Sequence, residues 1–267
     1  MSEAQAAPQI SGQMFLYEKP ELLTKEQHGD LKLRPATKPF SFAAKARAIP
    51  ITFGEIPSAM KDYPLIFMSQ EEPVLLAVTG LYDDVNLYVD EDGKWEEFRY
   101  IPGYVRRYPF GLAGETEGDR MAIVIDRAFE GLSADNETPL FENGELAQGT
   151  QDAVEFCKGY ETDRLRTTQF TDLLKELDLI QPQSGQYTPQ GATDPVSFAQ
   201  YYGIDEKRLY DLPDAKMLEL RKSGMLALAY AQIMSMGNWR LLLQRRAKRF
   251  NLTDANMFPD SAKLTGN

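Results

Sequence analysis

The segment of this sequence richest in potential chemistry covers residues 95–114, "WEEFRYIPGYVRRYPFGLAG". It sets Trp95, Phe98, Tyr100, Tyr104, Tyr108 and Phe110 around Arg99, Arg106 and Arg107. A planar guanidinium forks onto carboxylate or phosphate while aromatic rings supply contact area, so the mixture is that of a recognition surface. Pro102 can open a short helical turn and Pro109 can close it. Tyr104 and Tyr108, four residues apart, then share one face and the arginines point elsewhere. On this reading Arg106 and Arg107 grip an acidic group or a terminal carboxylate. Trp95, Tyr104 and Tyr108 form the apolar wall of the ligand site, with Tyr100 beside them. The competing reading puts the tyrosines in the core and pairs the arginines with local carboxylates.

Two further residues invite attention. His28, in "LLTKEQHGDLKL", is the one histidine and the one side chain whose ordinary titration falls near neutral pH; a partly exposed structural histidine is the plainer expectation. Asp126 closes the apolar run "MAIVID" as a strand-end carboxylate that can serve in acid–base work. The acidic group Asp83, Asp84, Asp90, Glu91 and Asp92 offers oxygen ligands for Ca²⁺ but lacks the ordered spacing of a calcium loop, so it reads as a solvated turn. One His and one Cys, Cys157, leave no Cys/His zinc site and little room for a Ser-His-Asp triad. No phosphate-binding glycine loop of the usual patterns occurs. The sequence therefore calls for no metal and no cofactor, and leans away from an enzyme.

The elements that must position these residues read as α+β. Residues 15–50 are punctuated by Pro20, Pro35, Pro39 and Pro50, which permits short extended pieces such as "KPFSFAAKARAIPIT". "YPLIFM" (63–68), "PVLLAVT" (73–79) and "MAIVID" (121–126) are short apolar strands, and "VNLYVD" (85–90) alternates. Asp92-Gly93 should turn strand 85–90 back into 95–100. A mostly antiparallel sheet in the N-terminal and central part follows. Beyond residue 150 apolar residues recur at helical spacing, from Val154 through Leu177, and Gly159 is a candidate break. Residues 181–195 read as an exposed loop; Asp214 is a candidate N-cap, and Gly224 and Gly237 candidate helix ends. The expected organisation is a flexible tail over 1–12, one domain over 13–250 (β-rich to 150, helical from 151) and a C-terminal tail over 251–267.

With 43% hydrophobic and 26% charged residues the chain has the composition of a globular protein. Its net charge of −11 argues against nucleic acid as a partner. Residues 205–250 nonetheless hold a net of +5, concentrated in "RRAKR" (245–249), which reads as cations at a helix C-terminus or as a patch for an anionic partner. The longest apolar stretch, residues 224–237, is too short to span a bilayer and contains Gln232. The first residues do not read as a secretory signal, and the single cysteine allows a reducing compartment. The expectation is a cytoplasmic protein.

Four blocks, "LYEKPELLTKEQHGDLKL", "YPLIFM", "W…YIPGYVRRYPF" and "LPDAKMLELRKSGMLALAYAQIMSMGN", resemble the SapC family in order and spacing over roughly residues 15–240. The resemblance implies an association with bacterial surface-layer systems and with operons for outer-membrane uptake or export. It supplies no catalytic residues. A permease role, a label some members carry, conflicts with the lack of an apolar span. The leading expectation is a non-catalytic accessory that binds a peptide or protein segment. The alternative is an enzyme, or an enzyme's partner, acting on a small molecule or peptide through carboxylates and tyrosines. A surface-layer subunit is a third reading.

Overall fold

The computed structural model describes residues 13–114, 121–188, 193–253 and 256–258. The N-terminal tail expected over residues 1–12 lies outside them. The chain is an α+β protein with antiparallel sheets and a helical C-terminal region. It resolves into two compact units, one drawn from residues 13–43, 91–94 and 104–162, the other from 44–90, 95–103 and 163 onward.

In the first unit the apolar run 121–126 is the central strand Met121–Asp126. It pairs antiparallel with Pro20–Leu22 on one side and Phe110–Gly114 on the other. The register sets Leu22 opposite Val124 and Phe110 opposite Ile125. Phe110, Ile125, Leu132, Leu140 and Cys157 make the core, and Leu23, Leu31, Leu33 and Leu112 pack against it. A two-stranded hairpin, Phe141–Glu142 with Glu145–Leu146, turns through Asn143 and Gly144, both at positive φ. That dipeptide tolerates left-handed backbone, as a two-residue hairpin turn requires.

In the second unit five antiparallel strands run in the order Ile180–Tyr187, Val196–Ile204, Leu65–Phe67, Leu75–Val78, Ala48–Pro50. The helix Met225–Ser235 meets the middle strand through polar side chains. Gln232 donates to the Leu65 carbonyl (2.7 Å) and accepts from the Ile204 N–H (3.1 Å), and Ser235 accepts from the Leu65 N–H (3.0 Å). The polar residue that spoils a membrane span thus satisfies strand backbone that would otherwise be buried unpaired. Met257 and Phe258 are also buried, with Phe258 stacked 5.9 Å from Phe198.

Several expectations are corrected. Residues 85–90 and 95–100 do not form a ladder: Val89 and Trp95 make an isolated bridge. The Asn86 side chain takes the Tyr88 N–H (3.0 Å) and its carbonyl takes the Val89 N–H (3.2 Å), so local bonds replace strand pairing. The loop expected over 181–195 is largely strand Ile180–Tyr187, an edge position that accommodates Pro182, with a register shift at Gly185; residues 189–192 lie outside the described residues. Gly159 does not interrupt the helix Gln148–Glu176. It faces open space, and one such glycine costs only about 1 kcal/mol. Asp214 begins its helix but does not cap it; the capping side chain lies one helix earlier, where Asp205 accepts from the Arg208 N–H at 2.9 Å. The piece expected to be extended around residues 38–52 contains a 3-10 turn, Ser41–Ala43, before the strand Ala48–Pro50.

Candidate functional site

The aromatic–arginine segment is divided between the units, residues 95–103 belonging to the second and 104–110 to the first. The short helix Gly103–Arg106 ends just before Arg107, which belongs to the first unit and is 8% exposed. Its guanidinium lies 3.9 Å from the Tyr104 ring centre, 5.0 Å from Tyr160 and 5.7 Å from Tyr17. Among the described residues no carboxylate pairs with it, and its Nε has no hydrogen-bond partner. Three ring faces stand in for a counter-ion, each worth about 1–2 kcal/mol when desolvated. Burial pushes the Tyr17 and Tyr104 phenols above their ordinary value, with Arg107 pulling the other way. Burial also drives the Cys157 thiol up to about 11, again against Arg107, so the one cysteine is no nucleophile near neutral pH. Arg107 is therefore buried among three rings, where the sequence reading places it at a ligand-gripping surface. Arg106 is exposed and lies 5.0 Å from the Phe156 ring.

The structure brings Tyr108 and Asp126 together. The Tyr108 hydroxyl donates to Asp126 Oδ2 at 3.2 Å, and the Glu18 N–H bonds to the same oxygen at 2.9 Å. Asp126 Oδ1 accepts from the Lys19 N–H (2.9 Å) and the Ala128 N–H (3.0 Å). A carboxylate has about four acceptor positions, and all four are occupied. Fully buried, Asp126 ties the strand Pro20–Leu22 to the turn after Met121–Asp126. Burial and then the Asp126 charge raise the Tyr108 phenol, which stays a donor. Tyr108 also stacks on Phe42 at 3.8 Å and, with Phe129, Lys38 and Glu130, lines a cleft of about 250 Å³.

His28 is 1% exposed, not partly exposed as expected. Its Nδ1 lies 3.1 Å from the Thr24 carbonyl; its Nε2 lies 3.5 Å from the Glu21 carboxylate without a hydrogen bond. Among the described residues no group of three or more His, Cys, Asp or Glu is placed to hold a metal ion.

In the second unit Trp95 is buried, its indole donating to the Tyr63 hydroxyl at 3.3 Å. Tyr100 is held at both ends, by Glu55 at its hydroxyl (3.0 Å) and Asp62 at its N–H (2.8 Å). Between them the turn 96–99 closes through the Arg99 N–H to the Glu96 carbonyl (3.3 Å). Phe98, third in that turn, sits at φ 60° and is 99% exposed. Glycine or asparagine is the usual occupant of left-handed backbone at that place. Ion pairs hold the turn: Arg99 reaches Asp62 (3.0 Å) and Glu96 (3.3 Å), and Arg245 forks onto Glu96. Arg245 in turn covers the Tyr88 ring at 4.3 Å. Burial raises the Glu96 carboxyl, but the two arginines outweigh it and leave it below the ordinary range.

The sequence shows Phe98 among the aromatics but not its isolation, because the neighbouring "WEEFRY" reads as strand. The signal is the adjacent Glu96-Glu97 pair of like charges beside it, which suits a turn better than a ladder.

Taken together, these features define an α+β protein in which Asp126 and Tyr108 are engaged in the fold and Phe98, 99% exposed, is held on a braced turn. The SapC family model matches residues 23–242, and the chain belongs to the SapC family. No curated protein and no solved structure matches it.

Proposed function

We propose that this chain is a non-catalytic accessory that binds a peptide or protein segment, with the Phe98 turn as its contact. One observation carries the reading: a phenylalanine 99% exposed at φ 60° on a turn braced by Asp62, Glu96, Arg99 and Arg245. Leaving a phenylalanine side chain in water forgoes about 1.5–3 kcal/mol. Left-handed backbone adds about 1–2 kcal/mol for a residue other than glycine. Strain of this size persists where the surroundings over-determine it, and such places cluster at binding sites. A partner pocket that takes the ring recovers the first term without reorganising the turn. Tyr108 and its cleft of about 250 Å³ offer the same reading a second, concave contact that fits one side chain.

The enzyme alternative draws less support, because Asp126 has no acceptor left and Cys157 stays protonated. The link to surface-layer or outer-membrane traffic, and the cytoplasm as the working compartment, rest on the family resemblance and composition and belong to this proposal. The test compares wild type with Phe98→Ser as bait in native lysate. A specific protein retained by wild type should be lost with Phe98→Ser, whose unfolding midpoint should not fall. Identical capture by the two would refute the assignment.

A further inference from the structure

Between the hairpin strands and the last helix of the second unit lies a cavity that the Phe98 reading does not use. Its volume is about 520 Å³, within the range of pockets that enclose small molecules. The walls are Tyr187 and Phe198 from the strands and Trp239 and Leu243 from the helix Asn238–Phe250. Gly185 makes this wall possible: a Cβ there would meet the Phe198 ring at 2.7 Å.

The polar groups at the cavity are few. Among the described residues no acidic side chain lines it, and the one charged side chain that does is the exposed Arg240, in a chain of net −11. Arg245 and Arg246, further along the same helix, pair with Glu96 and Asp83. Among the described residues Arg240 has no carboxylate partner. Trp239, 8% exposed, leaves its indole N–H without an aligned hydrogen bond, although the Tyr201 hydroxyl is near enough to feel it. Gln186 and Gln244 supply further neutral hydrogen-bonding groups.

We propose that this cavity binds a small carboxylic acid with an apolar body, its carboxylate on Arg240 and its body among Tyr187, Phe198, Trp239 and Leu243. An apolar wall with one unpaired guanidinium discriminates by head group. The acid gains a bond between two charges, whereas the matching alcohol offers the guanidinium only a neutral acceptor.

Sodium octanoate and 1-octanol are the probes, titrated calorimetrically into the full chain. The chain has two tryptophans, so Trp95→Phe leaves Trp239 as the sole indole reporter of the cavity. Octanoate should bind one site and shift that emission, with 1-octanol at least about tenfold weaker. Arg240→Gln should abolish the preference for the acid. Ala247→Phe, which fills the cavity from the helix side, should remove binding of both. No heat with octanoate on the wild-type chain, an undiminished preference in Arg240→Gln, or undiminished binding in Ala247→Phe overturns the proposal.

Discussion

Replacing Arg107 by lysine keeps the charge but removes the planar group that lies over the Tyr104, Tyr160 and Tyr17 rings. The expected cost is about 1–2 kcal/mol in urea unfolding. The neighbouring Arg106→Ala, at an exposed position, should stay within about 0.5 kcal/mol. Equal effects would contradict the division between a buried and a surface arginine. Asp126→Asn puts an NH2 in place of one carboxylate oxygen, so two of the four accepting positions become donors, facing either the Lys19 and Ala128 N–H groups or the Glu18 N–H and the Tyr108 hydroxyl. A cost of about 2–4 kcal/mol is expected, read as a lowered melting midpoint. An acid–base role for Asp126 would instead show as lost activity at unchanged stability.

At the scale of elements, the second unit depends on one amide. Gln232→Leu leaves the Leu65 carbonyl and the Ile204 N–H unpaired, and a loss of about 2–4 kcal/mol should follow despite the apolar helix around it. Denaturant midpoints measure it; a neutral substitution would mean that those groups find other partners. The apolar runs 63–68, 73–79 and 121–126 were legible as strands because few other structures suit short β-branched runs between turn residues. Residues 180–187 were not legible, since "IQPQSGQY" is polar and broken by proline and glycine, and its place at a sheet edge is a tertiary fact. The candidate site was legible in its residue types only. That Arg107 turns inward while Phe98 stays in water depends on which side of a turn each occupies, and adjacent arginines carry no signal of that. The Asn143-Gly144 hairpin could have been read from its dipeptide alone.

For the whole molecule the raised phenols and thiol set the alkaline behaviour. Burial lifts Cys157 from an ordinary 9.0 to about 11, and lifts Tyr63 and Tyr88 well above 10.0. Below the ordinary values both folded and unfolded chains are protonated and the contribution is fully present. Above them the unfolded chain releases its protons first, so stability falls as pH rises through the folded values. Each group contributes up to about 1.4 kcal/mol per pH unit in its window. The urea midpoint should therefore decline from about pH 9 upward, and Cys157→Ala should remove the earliest part of that decline. A midpoint unchanged between neutrality and about pH 10.5, inside the window over which the Cys157 contribution is lost, would contradict the burial described for it.

The most direct measurement is photo-crosslinking from the turn itself, with a benzophenone amino acid in place of Phe98 and, as control, in place of the exposed Tyr210. A discrete adduct to one protein or peptide from position 98, absent from position 210, is the expected result. The same diffuse adducts from both positions, or none from either, would mean that the exposed ring meets no partner.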